Sequence, residues 1–123
     1  MARWTEEQLQ AIETAGTNII VSAGAGSGKT AVLTERVIRK LKTGINVDEL
    51  LLLTFTNAAA EEMKIRIRDE IKNYPELKEQ LVRIDSAYIT TFDAFSLSLV
   101  KKYNYILNIS KDLSIIDNAI IKL

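Results

Sequence analysis

The residues Ala23-Gly24-Ala25-Gly26-Ser27-Gly28-Lys29-Thr30 follow directly on the apolar run Ile19-Ile20-Val21, and their types and order describe a cradle for phosphate. Glycines at 24, 26 and 28 permit backbone angles that a Cβ forbids, so the main chain can close around an anion. Amides of such a loop, and of the first turn of a helix behind it, have no intrahelical partner. They point at the phosphates, aided by the positive end of the helix dipole. Lys29 has the reach and charge for β and γ phosphates, and the Thr30 hydroxyl is placed to ligate Mg²⁺. The general P-loop (Walker A) pattern has glycine where this chain has Ala23. A plain glycine turn between a strand and a helix would have no need of Lys-Thr at the helix start, so the segment implies a bound nucleoside triphosphate.

Two further segments have side chains suited to a phosphodiester chain: Thr54-Phe55-Thr56-Asn57-Ala58-Ala59-Ala60 and Thr90-Thr91-Phe92-Asp93-Ala94-Phe95. Hydroxyls, an amide, helix-start N–H groups and small alanines allow close approach to phosphate and sugar. The competing reading is that Thr56 or Asn57 caps one helix and Thr91 or Asp93 another. Gln8 has the same two readings. It is the last member of a Thr5-Glu6-Glu7-Gln8 capping box, and its amide could also pair with the N6 and N7 edge of adenine.

The elements that must hold these residues are legible in outline. The capping box, with Trp4 and Leu9 as a hydrophobic staple, predicts a helix from Thr5 to about Gly16. A strand is expected over Asn18–Ser22. Leu33, Val37 and Leu41 form the apolar stripe of a helix that ends at Gly44. Leu50 to Phe55 is an uninterrupted apolar strand, as in parallel sheets covered on both faces, and completes a right-handed strand-helix-strand crossover. From Ala58 a helix with Met63, Ile67 and Ile71 on one face runs to Asn73 and Pro75. A short helix over Glu76–Arg83, a strand over Ala87–Thr91 and a helix lined by Phe95, Leu99 and Tyr103 follow, and Tyr88, Tyr103 and Tyr105 read as packing residues. Beyond a turn at Asn108 to Asp112, Leu113–Ile116 reads as a short strand and Asp117 as a helix cap. Strand carboxyl ends in open α/β sheets are where ligands bind, so both Thr-rich corners should share a rim with the phosphate loop.

The chain has 123 residues, 47% of them hydrophobic, enough for one compact core. Its formal net charge is zero, so any nucleic-acid binding must be local rather than drawn by a global field. Neither cysteine nor histidine occurs. That excludes disulfides, thiolate metal sites and Ser-His-Asp or Cys-His catalysis, and leaves Mg²⁺ on oxygen ligands as the natural ion. No apolar run is long enough for a membrane span and residues 1–18 are too polar for a signal peptide, so a cytoplasmic location is expected.

Gln8, the loop ending in Gly28-Lys29-Thr30, the Leu-Thr-Phe-Thr-Asn-Ala-Ala-Ala-Glu-Glu-Met-Lys block from Leu53 and the later Thr90-Thr91-Phe92 together resemble the superfamily-one UvrD/Rep-like DNA helicases. The likeness runs from Trp4 to about Asp117, and the opening Trp-Thr-Glu-Glu-Gln is most similar to AddA-type helicase–nuclease proteins, where alanine is usual at the position of Ala23. The resemblance implies that residues 1–123 form the N-terminal part of a first RecA-like motor domain, an α/β parallel sheet with helices on both faces, within a longer protein. It implies ATP and Mg²⁺ held by Ala23, Gly24, Ala25, Gly26, Ser27, Gly28, Lys29 and Thr30, with Lys29 catalytic, Thr30 the metal ligand and Gln8 on adenine. It further implies single-stranded DNA against Thr54, Thr56, Asn57, Ala58, Thr91 and Phe92, and an AddB-like partner in the repair of broken ends by recombination. Relatives usually carry histidine where Asp93 stands, and its negative charge would repel a phosphate.

Hydrolysis also needs a second carboxylate on Mg²⁺ and an arginine for transition-state charge. Neither is placed by this sequence. The apolar run that ends in an acid, Leu113 to Asp117, lacks the adjacent glutamate of these helicases. The chain itself is therefore expected to bind nucleotide with little turnover. A small-molecule kinase or a non-catalytic fragment are the other classes compatible with the loop, and stimulation of turnover by DNA separates the first of them from a helicase.

Overall fold

The structure, a computed structural model, describes residues 3–22 and 28–108. Helix α1 spans Glu6–Glu13 and begins as the capping box requires. The Thr5 hydroxyl accepts from the Gln8 amide at 3.2 Å, and Gln8 Oε1 accepts from the Thr5 amide at 2.9 Å. Helix α2, Lys29–Lys42, buries Val37, Ile38 and Leu41 and stops before Gly44. Gly44 has φ +103°, a conformation that a Cβ disfavours, and its N–H returns to the Leu41 carbonyl at 3.0 Å.

A 3₁₀ turn at Val47–Glu49 leads into strand β1, Leu51–Thr54. Helix α3, Asn57–Ile71, is capped by the Thr56 hydroxyl and lays Ala60, Met63, Ile67 and Ile71 inward, as their spacing predicts. The single short helix expected over Glu76–Arg83 is instead a 3₁₀ turn at Pro75–Leu77 followed by α4, Gln80–Arg83. The turn at Pro75 is closed by i→i+3 bonds, the Leu77 amide to the Tyr74 carbonyl at 2.9 Å and the Lys78 amide to the Pro75 carbonyl at 3.3 Å, which is 3₁₀ rather than α pairing. After a 3₁₀ turn at Ile84–Ser86 come strand β2 (Tyr88–Thr91), helix α5 (Phe92–Lys102) and helix α6 (Asn104–Leu107).

Strands β1 and β2 pair in parallel, Leu51 opposite Tyr88 through to Thr54 opposite Thr91. Leu52 and Ile89, opposite each other, face the core built by α2 and α3, where Ile38, Ile67, Ile71 and Ile84 are fully buried. Leu51 and Tyr88 face the other way, and Tyr88 meets Phe95 of α5 edge-on with centroids 5.4 Å apart. Helices thus touch both faces, although Leu51 and Tyr88 remain nearly half exposed.

Buried Gln80 ties α4 to the approach to β1: its Oε1 accepts from the Val47 amide at 2.8 Å and its Nε2 donates to Asn46 Oδ1 at 2.9 Å. Gln80→Leu would keep the volume but strand the Val47 N–H. A loss of about 1.5 kcal/mol in a urea titration is expected.

The strand expected over Asn18–Ser22 does not form. Ile20 is 97% exposed and Val21 53%. A strand needs a neighbour to take its backbone hydrogen bonds, and among the described residues the sheet contains only β1 and β2. The first strand-helix-strand crossover is accordingly absent among the described residues, and the parallel crossover present is β1–α3–α4–β2. Tyr103 and Tyr105, expected to pack, are also exposed; α5 and α6 have no buried residues. The expected strand Leu113–Ile116 and the cap at Asp117 lie outside the described residues.

Candidate nucleotide and nucleic-acid site

Of the phosphate loop, Ala23, Gly24, Ala25, Gly26 and Ser27 lie outside the described residues; Gly28, Lys29 and Thr30 are described. Gly28 is the N-cap of α2 in the left-handed conformation, φ +81°, and gives the helix no side-chain cap. The Val32 amide makes the first helical bond, to the Gly28 carbonyl at 2.9 Å. The amides of Lys29, Thr30 and Ala31 precede it and have no intrahelical acceptor. The first turn of α2 carries no acid. Lys29 is exposed, and among the described residues no carboxylate pairs with it. Among the described residues the positive end of α2 is therefore without a carboxylate and carries an exposed cation, which suits an anionic ligand.

Thr30 is half-buried in that first turn. Among the described residues no group of three carboxylates or imidazoles could hold a metal. The Thr30 hydroxyl is the type of oxygen donor that a Mg²⁺ ion carried on phosphate oxygens takes.

Beside this helix start lies a cleft of about 540 Å³ between α1 and α2, within the usual size of a small-ligand pocket. Its walls are mainly apolar, from Ala11, Ile19, Val21, Val32 and Leu33, with Gln8, Lys29 and Arg36 as polar edges. Gln8 is engaged in the capping box through Oε1. Its amide nitrogen faces Gly28, where an added Cβ would lie 3.4 Å away. The cap reading of Gln8 is thus realised, while the residue also borders the cleft.

Helices α1 and α2 are joined by arginines. Arg39 donates to Glu35 at 2.8 Å and to Glu13 at 2.6 Å. The Glu35 hydrogen bond raises its pKa above the ordinary guanidinium value; desolvation opposes this, and the Glu13 hydrogen bond adds a smaller upward effect. Arg36 Nη1 donates to the carbonyls of Ala11, Ile12 and Thr14 at 2.8, 3.2 and 2.8 Å.

The two Thr-rich corners meet at the carboxyl end of the strand pair. Thr54 and Thr91 are opposite each other in the last rung. The Thr56 hydroxyl accepts from the Ala59 amide and the Thr91 hydroxyl from the Ala94 amide, both at 3.1 Å. Both threonines are therefore the helix caps, and neither Asn57 nor Asp93 is. Thr56 is exposed and its O–H proton remains available for donation; Thr91 is buried. Thr54 donates to the Thr56 carbonyl at 2.9 Å, and Asn57, Ala58 and Asp93 are exposed. Phe55 belongs to the first Thr-rich segment but is not among the residues singled out within it. It is 94% exposed and its ring lies 5.9 Å from that of Phe92, itself 51% exposed. The available signal was its place one residue past the strand's last rung, where an apolar run has left the sheet.

Helices packed on a parallel strand pair, with candidate residues at the strand carboxyl ends and at the start of α2, are consistent with the α/β class. The chain belongs to the UvrD/REP helicase N-terminal domain family, whose model matches residues 4–122. It is 47% identical over 128 residues to the AddA protein, the ATP-dependent helicase/nuclease component, of Heliobacterium modesticaldum, covering 98% of this chain and 9% of that protein. The corresponding proteins from Lactobacillus acidophilus and Geobacillus thermodenitrificans are 45% and 44% identical, over 94% and 99% of this chain and 10% and 11% of theirs. The chain thus spans about a tenth of the length of these relatives.

Proposed function

We propose that this chain is the ATP-binding part of a RecA-like motor in an ATP-dependent DNA helicase of the AddA kind, acting on single-stranded DNA in the repair and recombination of broken ends. The uncapped start of α2, with Lys29 beside an apolar cleft bordered by Gln8, carries the reading. The triphosphate would lie on the loop from Ala23 to Thr30, with Lys29 on its outer phosphates and Mg²⁺ on Thr30; adenine would enter the cleft against Gln8. The DNA would cross the corners at Thr54, Thr56, Asn57 and Ala58 and at Phe92. For Thr91, buried and acting as a cap, the reading is one of shaping the corner. Asp93 stays clear of phosphate and lies in the first turn of α5, where a carboxylate is favourable. The names of the relatives support ATP use, a DNA-unwinding role and assembly with a second protein, here read as AddB-like. The acid and the arginine that complete hydrolysis are assigned to other parts of the protein, so this chain alone binds ATP with little turnover.

Titration calorimetry of the chain with a non-hydrolysable ATP analogue and Mg²⁺ tests this. Saturable one-to-one heat, lost with Lys29→Ala, is the expected result. Absence of heat would remove the nucleotide reading, and turnover stimulated by a small metabolite but not by DNA in the full-length protein would make it a kinase.

A further inference from the structure

We infer that Arg36 is the positioning residue for Gln8: it clamps the carboxyl end of α1 onto α2 and so fixes where Gln8 stands over the nucleotide cleft. This rests on the reading of Gln8 as the adenine contact. Helix α1 has eight residues, too few to be stable alone in water, and buries only Ala11 and Ile12. Its last carbonyls have no helical partners and its last turn has no basic residue. The Gln10 carbonyl is satisfied within the segment, by the Thr14 amide at 3.0 Å and the Thr14 hydroxyl at 2.6 Å. The Ala11, Ile12 and Thr14 carbonyls are met from outside, all by Arg36 Nη1, whose two protons are shared among three acceptors. A guanidinium there also opposes the negative end of the α1 dipole.

The consequence reaches the site through α1 itself. Gln8 and Ala11 are three residues apart, share a face of the helix and both line the cleft. On the other side of the contact, Arg36 belongs to the same rigid helix as Lys29, with Gly28 as its cap. The distance from Gln8 to the start of α2 is thus held by a residue that is two turns into α2. Arg39 adds a second link to Glu13, but that pair is exposed and therefore weak.

The test compares the full chain with Arg36→Gln, Arg36→Lys and Arg39→Met, measuring affinity for ATP, GTP and tripolyphosphate by calorimetry and hydrogen exchange of the α1 amides. Arg36→Gln should lower ATP affinity about tenfold, towards that for GTP, and speed α1 exchange about tenfold. Tripolyphosphate affinity should stay within about twofold, because Lys29 and the loop are untouched. Arg36→Lys, one point donor in place of a fork, should recover part of both effects, and Arg39→Met should change little. Retained preference for ATP in Arg36→Gln overturns the proposal while leaving Gln8 as the reader of adenine. Equal loss of ATP and tripolyphosphate overturns it as general destabilisation. Loss of ATP affinity with unchanged α1 exchange makes Arg36 a direct contact and also overturns it. A wild-type chain that binds ATP and GTP alike removes the adenine reading itself, and the positioning role falls with it.

Discussion

Lys29→Ala in a full-length helicase bearing these residues should cut ATP turnover by about 10²–10³-fold and stop unwinding, while affinity for single-stranded DNA stays measurable. The expectation follows from where the charge sits. Lys29 is the first residue of α2, exposed, with no carboxylate partner among the described residues, so the fold does not depend on it. What it adds is a cation at a helix start whose amides already favour an anion, and in the proposed site both would act on the same phosphates. Lys29→Arg should also be impaired, since a planar fork does not reproduce a compact ammonium at the start of a helix. Thermal melting of either variant should match wild type within about the ±0.5 kcal/mol typical of surface changes. Unwinding that survives Lys29→Ala would refute the placement of the γ-phosphate beside this residue.

What the sequence disclosed divides along a physical line. Features fixed within one or two helical turns were legible. The Thr5–Gln8 box, the buried face of Met63, Ile67 and Ile71, and the stop at Gly44 depend on neighbours three or four residues away. Features decided by a distant partner were not. Ile19-Ile20-Val21 has strand composition, but composition supplies no neighbouring ladder, and the segment remains outside the sheet. Arg36 carries no signal of its contact in the sequence, because its acceptors are backbone carbonyls more than twenty residues away and leave no side-chain pattern to read. At the rim, both the cap and the contact readings attached to Thr56 and Thr91. The geometry decides which residue caps each helix, giving the caps to the threonines and leaving Asn57 and Asp93 as exposed first-turn residues.

Replacing Phe55 and Phe92 together by alanine should weaken binding of single-stranded DNA by roughly 10–100-fold, since stacking on an aromatic ring contributes about 1–3 kcal/mol per base. A phenylalanine ring 94% exposed contributes little to the core, and among the described residues its ring neighbour is Phe92 at 5.9 Å, with the planes inclined by 34°. Two such rings, set side by side at the end of strands whose last rung is Thr54–Thr91, would serve in the proposed reading as a platform for successive bases, with the exposed Thr56 and Asn57 following Phe55 in the chain for the backbone. Because neither ring is charged, the dependence of affinity on salt should keep its slope while the whole line drops. That separates stacking from phosphate contact, whose loss would flatten the slope. Phe55→Trp should preserve binding, as any large π face serves, and melting temperature should be nearly unchanged in the Phe55 single variant. Fluorescence anisotropy of a labelled oligothymidine across a salt series measures all of this. Undiminished affinity in the double variant would show that the rings face another part of the protein rather than DNA.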